Sequence, residues 1–359
     1  MKKAVIAMSG GVDSSVAAFL MKQRGYDCIG ATMKLFDNED IGVERERSCC
    51  SLSDVEDARS VAFGLGIPYF VFNFSDRFKQ DVIDRFITAY ENGRTPNPCI
   101  DCNRYLKFDK LFLRAKELNC DYVVTGHYAQ IEYDEASGRY LLKKAADPDK
   151  DQSYVLYSMT QEQLAHTQFP LGGMTKPEVR KLAEENGFVN AKKRDSQDIC
   201  FVPDGKYAEF ITATTGKEYP EGDFVSTDGR VLGRHKGIIR YTIGQRKGLG
   251  LSFDRPMYVS AVDVEKNTVT LSPEEGLYTK SLIAKDINLI SVERLTEPMR
   301  VKARVRYRHK EQPATVVQLD DDTLSVEFDQ PQRAVTKGQS VVLYDGDKVV
   351  GGGTIEDVC

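Results

Sequence analysis

The chain has no apolar run approaching the roughly 20 residues that span a bilayer. The AVIAM stretch after Met1-Lys2-Lys3 is too short for a secretory signal. Cysteine is scarce, with eight in 359 residues, at positions 28, 49, 50, 99, 102, 120, 200 and 359. So few, at such irregular spacing, do not make a disulfide scaffold. A cytoplasmic protein with reduced thiols and no membrane partner is expected. Positive charge is not in excess either: 49 Lys and Arg against 54 Asp and Glu give a net charge of −5. That balance removes a global nucleic-acid signature and leaves only local clusters to carry one. The HExxH, GxGxxG, Walker A and GxSxG patterns are all missing. Zincins, ordinary dinucleotide dehydrogenases, P-loop NTPases and typical serine hydrolases therefore leave the leading classes.

What is present, 41% hydrophobic and 29% charged residues, suits a globular chain of two or three domains. Strands are predicted at Lys3–Met8, Cys28–Leu35, Tyr69–Phe74 and Tyr122–Ala129. Helices are predicted at Val16–Arg24, from a Ser53-x-x-Glu56 capping box to Leu65, and over 76–91 and 105–118. The alternation describes an α/β fold, a parallel sheet covered on both faces, with its ligand at the carboxyl ends of the strands. After a helix at Tyr207–Thr214, glycine-rich turns separate short strands at Tyr258–Val264, Thr268–Leu271, Thr315–Leu319 and Ser340–Leu343. The expected division is an α/β domain over 1–206 and two small β domains over 207–280 and 281–359.

Ser9-Gly10-Gly11-Val12-Asp13-Ser14-Ser15 lies between the first strand and the first helix. Glycines admit a phosphate close to the backbone, and N–H groups at a helix start point at the anion. Ser9, Ser14 and Ser15 add hydroxyl donors, and Asp13 suits Mg²⁺ held against phosphates. No lysine follows, unlike the γ-phosphate cradle of P-loop NTPases. The plainer alternative is a serine-capped helix after a glycine turn.

Arg94-Thr95-Pro96-Asn97-Pro98-Cys99-Ile100-Asp101-Cys102-Asn103 reads as a proline-stiffened loop between helices. A second element runs from Arg194 through Cys200 to Phe201. Cys28, Cys49, Cys50, Cys120 and Cys359 read as small buried hydrophobes. Cys102 and Cys200 instead fall in polar surroundings, the latter after Lys192-Lys193-Arg194, whose charge favours a thiolate and sulfur transfer. A Cys99-x-x-Cys102 spacing also suits a zinc or iron–sulfur site.

The first loop resembles the S-G-G-x-D-S-[ST] pyrophosphate loop of the N-type ATP pyrophosphatases. The TPNPCxxCN and SQDICFV elements are similar to those of the bacterial tRNA-specific 2-thiouridylases. Gly30-Ala31-Thr32-Met33, Thr125-Gly126-His127-Tyr128-Ala129, Lys150-Asp151-Gln152-Ser153-Tyr154, Arg306-Tyr307-Arg308 and Gly338-Gln339 extend that resemblance over nearly the whole chain. It implies a Rossmann-like HUP catalytic domain followed by two β domains, the last a β-barrel. It implies a tRNA-uridine 2-sulfurtransferase that adenylates the C2 oxygen of the wobble uridine (U34) and yields 2-thiouridine, AMP and pyrophosphate. ATP with Mg²⁺ would lie on Ala7, Met8, Ser9, Gly10, Gly11, Val12, Asp13 and Ser14, with Met33 and Gly126 at the adenine and ribose. Cys200 would receive sulfur as a persulfide, and Cys102 would close a disulfide with it as sulfur reaches the base. His127, Lys150, Asp151, Gln152, Arg306, Tyr307 and Gln339 correspond to tRNA contacts. The implied partners are tRNAs of the Glu, Gln and Lys types and a cysteine desulfurase or sulfur-relay protein as persulfide donor, with the enzyme a monomer.

One position departs from the pattern. Some family members carry Asp where this chain has Cys99, and that Asp is assigned as an acid or base. Cys99 does not take over that role, and Asp101 does not stand at the matching position. Cys99, Cys102 and Cys200 also suit a [4Fe-4S] cluster of the kind that three cysteines hold in related tRNA thiolases. Two other readings stay open: a synthetase of the same ATP superfamily acting on a small metabolite, and a non-catalytic RNA-binding or sulfur-carrier protein.

Residues 300–310 read Arg-Val-Lys-Ala-Arg-Val-Arg-Tyr-Arg-His-Lys, with a cation at every even position. As one strand this places the cations on one face over roughly 30 Å, enough to track several phosphates. A solvated face of an antiparallel strand is the bland reading. A second basic segment runs from Arg234-His235-Lys236 to Arg246-Lys247, with glycines at 244, 248 and 250. Its Tyr241 suits either base stacking or the core.

Overall fold

Ala4, Val5 and Ile6 are fully buried, as the centre of a parallel sheet covered on both faces requires. The computed structural model describes residues 1–36, 52–195, 199–202 and 205–359. Its N-terminal region carries β1 (Lys3–Ala7), β2 (Asp27–Lys34), β3 (Tyr69–Asn73), β4 (Tyr122–Val124), a hairpin of β5 (Gln130–Asp134) and β6 (Arg139–Lys143), and β7 (Thr167–Gln168). Five of these form a parallel sheet in the order β3-β2-β1-β4-β7. Helix α1 (Val12–Gln23) follows β1, and α2 (Leu52–Gly64) precedes β3. The parallel α/β class read from the sequence is the class observed.

Three local expectations fail. The fourth strand ends at Val124, not Ala129. A Cβ at Gly126 would sit 2.7 Å from the carbonyl carbon of Asp13 and 2.8 Å from the nitrogen of Ser14, so the chain leaves the sheet to run against the first turn of α1. Ser53 lies inside α2 rather than ahead of it. The proline-bearing cysteine segment is helical from Pro98, because Asn97 caps it by accepting from the Cys99 N–H at 3.2 Å and Pro98 suits a first helical turn. This helix continues through a π-helical stretch, Cys102–Lys110, into Leu111–Glu117.

The second region pairs β8 (Gly222–Ser226), β9 (Val231–His235), β10 (Tyr258–Asp263) and β11 (Thr268–Ser272) in the order β10-β11-β8-β9. The third holds β12 (Tyr278–Leu289), β13 (Met299–Arg304), β14 (Gln312–Gln318), β15 (Thr323–Arg333), β16 (Ser340–Asp345) and β17 (Lys348–Val358). These six close into an antiparallel barrel through β12–β17 pairing, and β6 and β5 extend the same sheet. The barrel is filled by alternate residues such as Val301, Ala303, Val326, Val341 and Leu343.

Two further clusters join the regions. Tyr154 and Tyr157 pack with Ile100, Phe108, Val342 and Tyr344 between the cysteine helix and the barrel. Phe78, Phe86, Leu106 and Phe201 pack with Ile239, Tyr241 and Val259 of the second region. Tyr241 is thus a core residue. Leu106 is fully buried on the cysteine helix. Leu106→Ala should cost about 2–5 kcal/mol, read as a lower denaturant midpoint at unchanged slope.

Candidate functional site

Strand β1 delivers Ser9, Gly10 and Gly11 to the start of α1. Gly10 has φ +73°, and a Cβ there would lie 2.4 Å from the carbonyl oxygen of Asp54. No side chain among the described residues caps α1, so the N–H groups of its first turn face outward, the arrangement that binds phosphate. The serine hydroxyls are used differently from expectation. Ser14 Oγ and Ser15 Oγ donate to the Gly11 carbonyl at 3.0 and 3.1 Å, and the Ser9 N–H donates to Ser14 Oγ at 3.2 Å. They brace the loop. Met8 and Val12 are core residues, so they contribute backbone to the loop and apolar side chains to its support. Met33 sits at the end of β2, half-buried, and Gly126 lies against Asp13 and Ser14 from the loop after β4.

Asp13 is held from two sides. Lys176 Nζ donates to its two oxygens at 2.7 and 2.8 Å, and the Tyr128 hydroxyl donates at 2.8 Å. The Lys176 side chain is only 9% exposed and also pairs with Asp195 at 2.8 Å. Asp195 in turn meets Lys150 at 2.8 Å and Arg180 at 2.9 Å. Burial pushes the Asp195 carboxyl up, but hydrogen bonds from Lys150 and Lys176 outweigh it and leave the group below its ordinary value. Since the ammonium already engages both Asp13 oxygens, this carboxylate does not fit as a direct Mg²⁺ ligand.

Sequence reasoning missed Lys176, Asp195 and Asn190, whose amide donates to the Gly10 carbonyl at 2.9 Å. The Thr175-x-x-Glu178 capping box that opens the helix Lys176–Glu185 was the available signal. Lys193, read as a cation beside Cys200, instead pairs with Asp54 and Asp57, each at 2.6 Å, and its ammonium lies 3.4 Å from the Gly10 carbonyl oxygen.

The cysteines separate by environment. Cys28 and Cys120 are buried, Cys99 and Cys359 are exposed, and Cys102 and Cys200 are intermediate. Cys359 is therefore not the buried hydrophobe expected, because it ends the chain beyond β17. Cys49 and Cys50, and residues 196–198 of the second cysteine element, lie outside the described residues. Cys102 and Cys200 pack on one aromatic cluster together with Met33, so the structure brings the two thiols to the rim of the same core. Among the described residues no three His, Cys, Asp or Glu gather as a metal site. As placed, Cys99, Cys102 and Cys200 do not fit an iron–sulfur cluster.

The barrel grips the cysteine segment. Arg94 forks onto Glu356 at 2.7 and 2.6 Å, and Arg104 forks onto Asp286. The Gln339 amide donates to the Thr95 and Pro96 carbonyls at 2.8 and 3.2 Å, and the Thr95 N–H donates to the Lys337 carbonyl at 2.9 Å. Gln339 thus holds the segment ahead of Cys99.

The other expected RNA contacts divide in the same way. His127 is buried between Phe108 and Phe169, with Nδ1 2.6 Å from the Thr125 hydroxyl. Burial holds its imidazole well below the usual value, hence neutral. Asp151 is buried and accepts from the Ala145 and Ser153 N–H groups and the Ser153 hydroxyl. Gln152 accepts from the Tyr128 N–H at 2.9 Å. Lys150 is 37% exposed at its side chain and Tyr307 is 39% exposed, while Arg306 is half-buried. These three keep access to solvent.

The cationic row is not one strand. β13 ends at Arg304, and a turn in which the His309 N–H donates to the Arg306 carbonyl leads back to β14. Arg300 forks onto Asp329, and Arg304 pairs with Glu311 at 3.3 Å. Arg306, Arg308 and Lys310 lie in the turn. Of the second segment, Arg234 pairs with Asp223 and Arg240 with Glu209.

Asp101 has a distinct electrostatic setting. Burial pushes its carboxyl from the usual 3.8 to about 6, against the pull of Arg85 and Arg104. A carboxyl that binds its proton more tightly when folded favours folding at low pH and loses that contribution as pH rises. Wild type should therefore lose on the order of 2–3 kcal/mol relative to Asp101→Asn as pH rises from 4 through 6. Denaturant melts of both proteins across that range check the difference.

Three family models tile the chain. The tRNA methyl transferase HUP domain matches residues 2–204, the tRNA methyl transferase PRC-barrel domain matches 208–273, and the aminomethyltransferase beta-barrel domain matches 279–355. The tRNA-specific 2-thiouridylase MnmA of Clostridioides difficile is 56% identical over 99% of this chain and 98% of its own. The protein of the same name from Acetivibrio thermocellus is 54% identical over 99% of both chains, and that from Clostridium acetobutylicum is 52% identical with the same coverage. A 4-thiouridine synthetase–RNA complex with bound ATP overlaps at TM-score 0.37 and 19% identity, over 60% of this chain and 50% of that one, too distant to add to the assignment. Identity above one half over 99% of the chain decides the matter: the chain belongs to the family of tRNA-specific 2-thiouridylases.

Proposed function

We propose that the protein uses ATP to replace the C2 oxygen of the wobble uridine of tRNA by sulfur. What supports this reading is a phosphate loop without a side-chain cap at the start of α1 and two half-buried thiols, Cys102 and Cys200, packed on the core that also takes in Leu35, Phe36 and Phe74 just beyond β2 and β3. ATP phosphates lie on the first turn of α1, with Met33 and Gly126 flanking the nucleoside. Lys176, which holds Asp13 beside that turn, supplies a buried cation next to where phosphate charge would develop. Mg²⁺ accompanies ATP as part of the substrate, and no ligand role is given to Asp13.

The uridine leaves its stack to reach the sheet end, as base-modifying enzymes require. Its C2 oxygen attacks the α-phosphorus and pyrophosphate leaves. The terminal sulfur of a Cys200 persulfide then attacks C2, and AMP carries the oxygen away. Cys102 thiolate takes the inner sulfur of Cys200, so a Cys102–Cys200 disulfide forms as the outer sulfur passes to the base. The C-terminal barrel presents Tyr307 and the turn cations Arg306 and Arg308 to RNA, while Gln339, Asp151 and Gln152 position the segments beneath. The functional units are 1–206, 207–280 and 281–359. The tRNAs are of the Glu, Gln and Lys types, and the persulfide donor is a cysteine desulfurase or a relay protein. The enzyme acts as a cytoplasmic monomer. Among the described residues no helix is long and apolar enough to cross a membrane.

The test incubates anaerobically purified protein with ATP·Mg²⁺, a persulfide donor and unmodified tRNA, then digests the RNA and measures 2-thiouridine. Wild type should form it. Cys200→Ser should fall by at least about 100-fold, the scale of losing one reacting group, and Asp13→Ala should fall as well, because it unties Lys176 from the phosphate loop. ATP consumption with a small acceptor and no 2-thiouridine would favour a metabolite synthetase instead.

A further inference from the structure

Cys99 stands one helical turn before Cys102 and is exposed, whereas Cys102 and Cys200 are half-buried at the rim of one hydrophobic core. The reading proposed above leaves those two inner sulfurs joined after every turnover, and this inference rests on that reading. A disulfide is reopened by a thiolate with access to one of its sulfurs. Of the three thiols Cys99 is the exposed one, and Cys102 and Cys200 are less open to an external reductant.

Positions three apart on a helix share a face with Cβ atoms roughly 5–6 Å apart. A small adjustment brings them to the roughly 3.5–4.5 Å of a disulfide. The helix start at Cys99 is anchored rather than loose. Asn97 accepts from its N–H, and Gln339 and Lys337 of the barrel hold Thr95 and Pro96. The same side of the barrel brings Tyr307 close enough for its hydroxyl to sense the charge of Cys99. The reach between Cys99 and Cys102 is therefore set by one turn of one helix, and no domain movement is needed to join them.

We propose that Cys99 is the resolving thiol of the cycle. Its thiolate attacks Cys102 Sγ, the Cys102–Cys200 bond breaks, and Cys200 departs as a thiolate ready for the next persulfide. The exchange conserves electrons and moves the disulfide to Cys99–Cys102, at the surface. A dithiol reductant from solution then supplies two electrons and two protons, returns both cysteines to thiols and ends as its own disulfide.

The experiment uses the full-length protein and tRNA with wild type and Cys99→Ser. Enzyme is loaded with persulfide anaerobically, given ATP·Mg²⁺ and tRNA, quenched by alkylation at intervals, and mapped by peptide mass spectrometry alongside the 2-thiouridine count. A second arm follows many turnovers with a thioredoxin-type protein dithiol as reductant. In wild type the mapped disulfide should move from Cys102–Cys200 to Cys99–Cys102. In Cys99→Ser the first round of 2-thiouridine should form, the disulfide should stay at Cys102–Cys200, and repeated turnover should fall at least tenfold. Equal repeated turnover by the variant overturns the proposal, as does loss of the first round, which would put Cys99 in the transfer itself. Iron and sulfide bound through Cys99 in the anaerobic wild type also overturn it. Failure of wild type to form any 2-thiouridine overturns the underlying reading, and is distinguished because the first round is scored separately.

Discussion

The buried ammonium of Lys176, set between the carboxylates of Asp13 and Asp195, is the tie on which the site depends. Burying a charge is costly, and it is tolerated here because two carboxylates meet it at 2.7 and 2.8 Å. Through Asp13 the tie fixes the first turn of α1, and through the Tyr128 hydroxyl it reaches the loop after β4. Through Asp195 it reaches Lys150, Arg180 and the segment leading to Cys200. One cation thus couples the proposed phosphate loop to the segment that leads to Cys200. Truncating it would strip Asp13 of its ammonium partner and Asp195 of one of its cations, so its loss would disturb the loop and the Cys200 segment together.

The second constraint is the grip of the barrel on the cysteine helix. Arg94–Glu356 and Arg104–Asp286 are partly exposed forks that add little stability each, but their planar geometry fixes direction. The energy lies below them, where Tyr154, Tyr157, Phe108 and Tyr344 fill the seam. Tyr154 donates to the Ser340 carbonyl at 2.8 Å inside that seam. The barrel and the helix that bears Cys99 and Cys102 are therefore joined by one packed seam, so in the proposed reading bound tRNA would be registered directly against the thiols.

Much of this was legible in the sequence. Ala4-Val5-Ile6 before Ser9-Gly10-Gly11 announced a buried strand feeding a phosphate loop, because burial on two faces and a glycine turn leave local marks. The contrast between Cys28 and Cys102 was also visible from their neighbours. What could not be read were pairings across long separations. Lys176 meets Asp13 across 163 positions, and Gln339 meets Thr95 across 244. Lys193 looked like a partner for nearby Cys200 but folds back onto Asp54 and Asp57. The alternation through 300–310 continued in composition after β13 had ended at Arg304 and the chain had entered the turn closed by the His309 N–H and the Arg306 carbonyl. The family resemblance assigned His127 to tRNA contact, yet its imidazole is enclosed by two phenyl rings.

The central claim is that ATP activates the base itself, at the C2 oxygen, before sulfur arrives. tRNA bearing oxygen-18 at C2 of the wobble uridine tests it in one turnover with the persulfide-loaded enzyme. The account predicts that the released AMP carries the heavy oxygen in its phosphate, mole for mole with 2-thiouridine formed. AMP without the label, alongside 2-thiouridine, would contradict it.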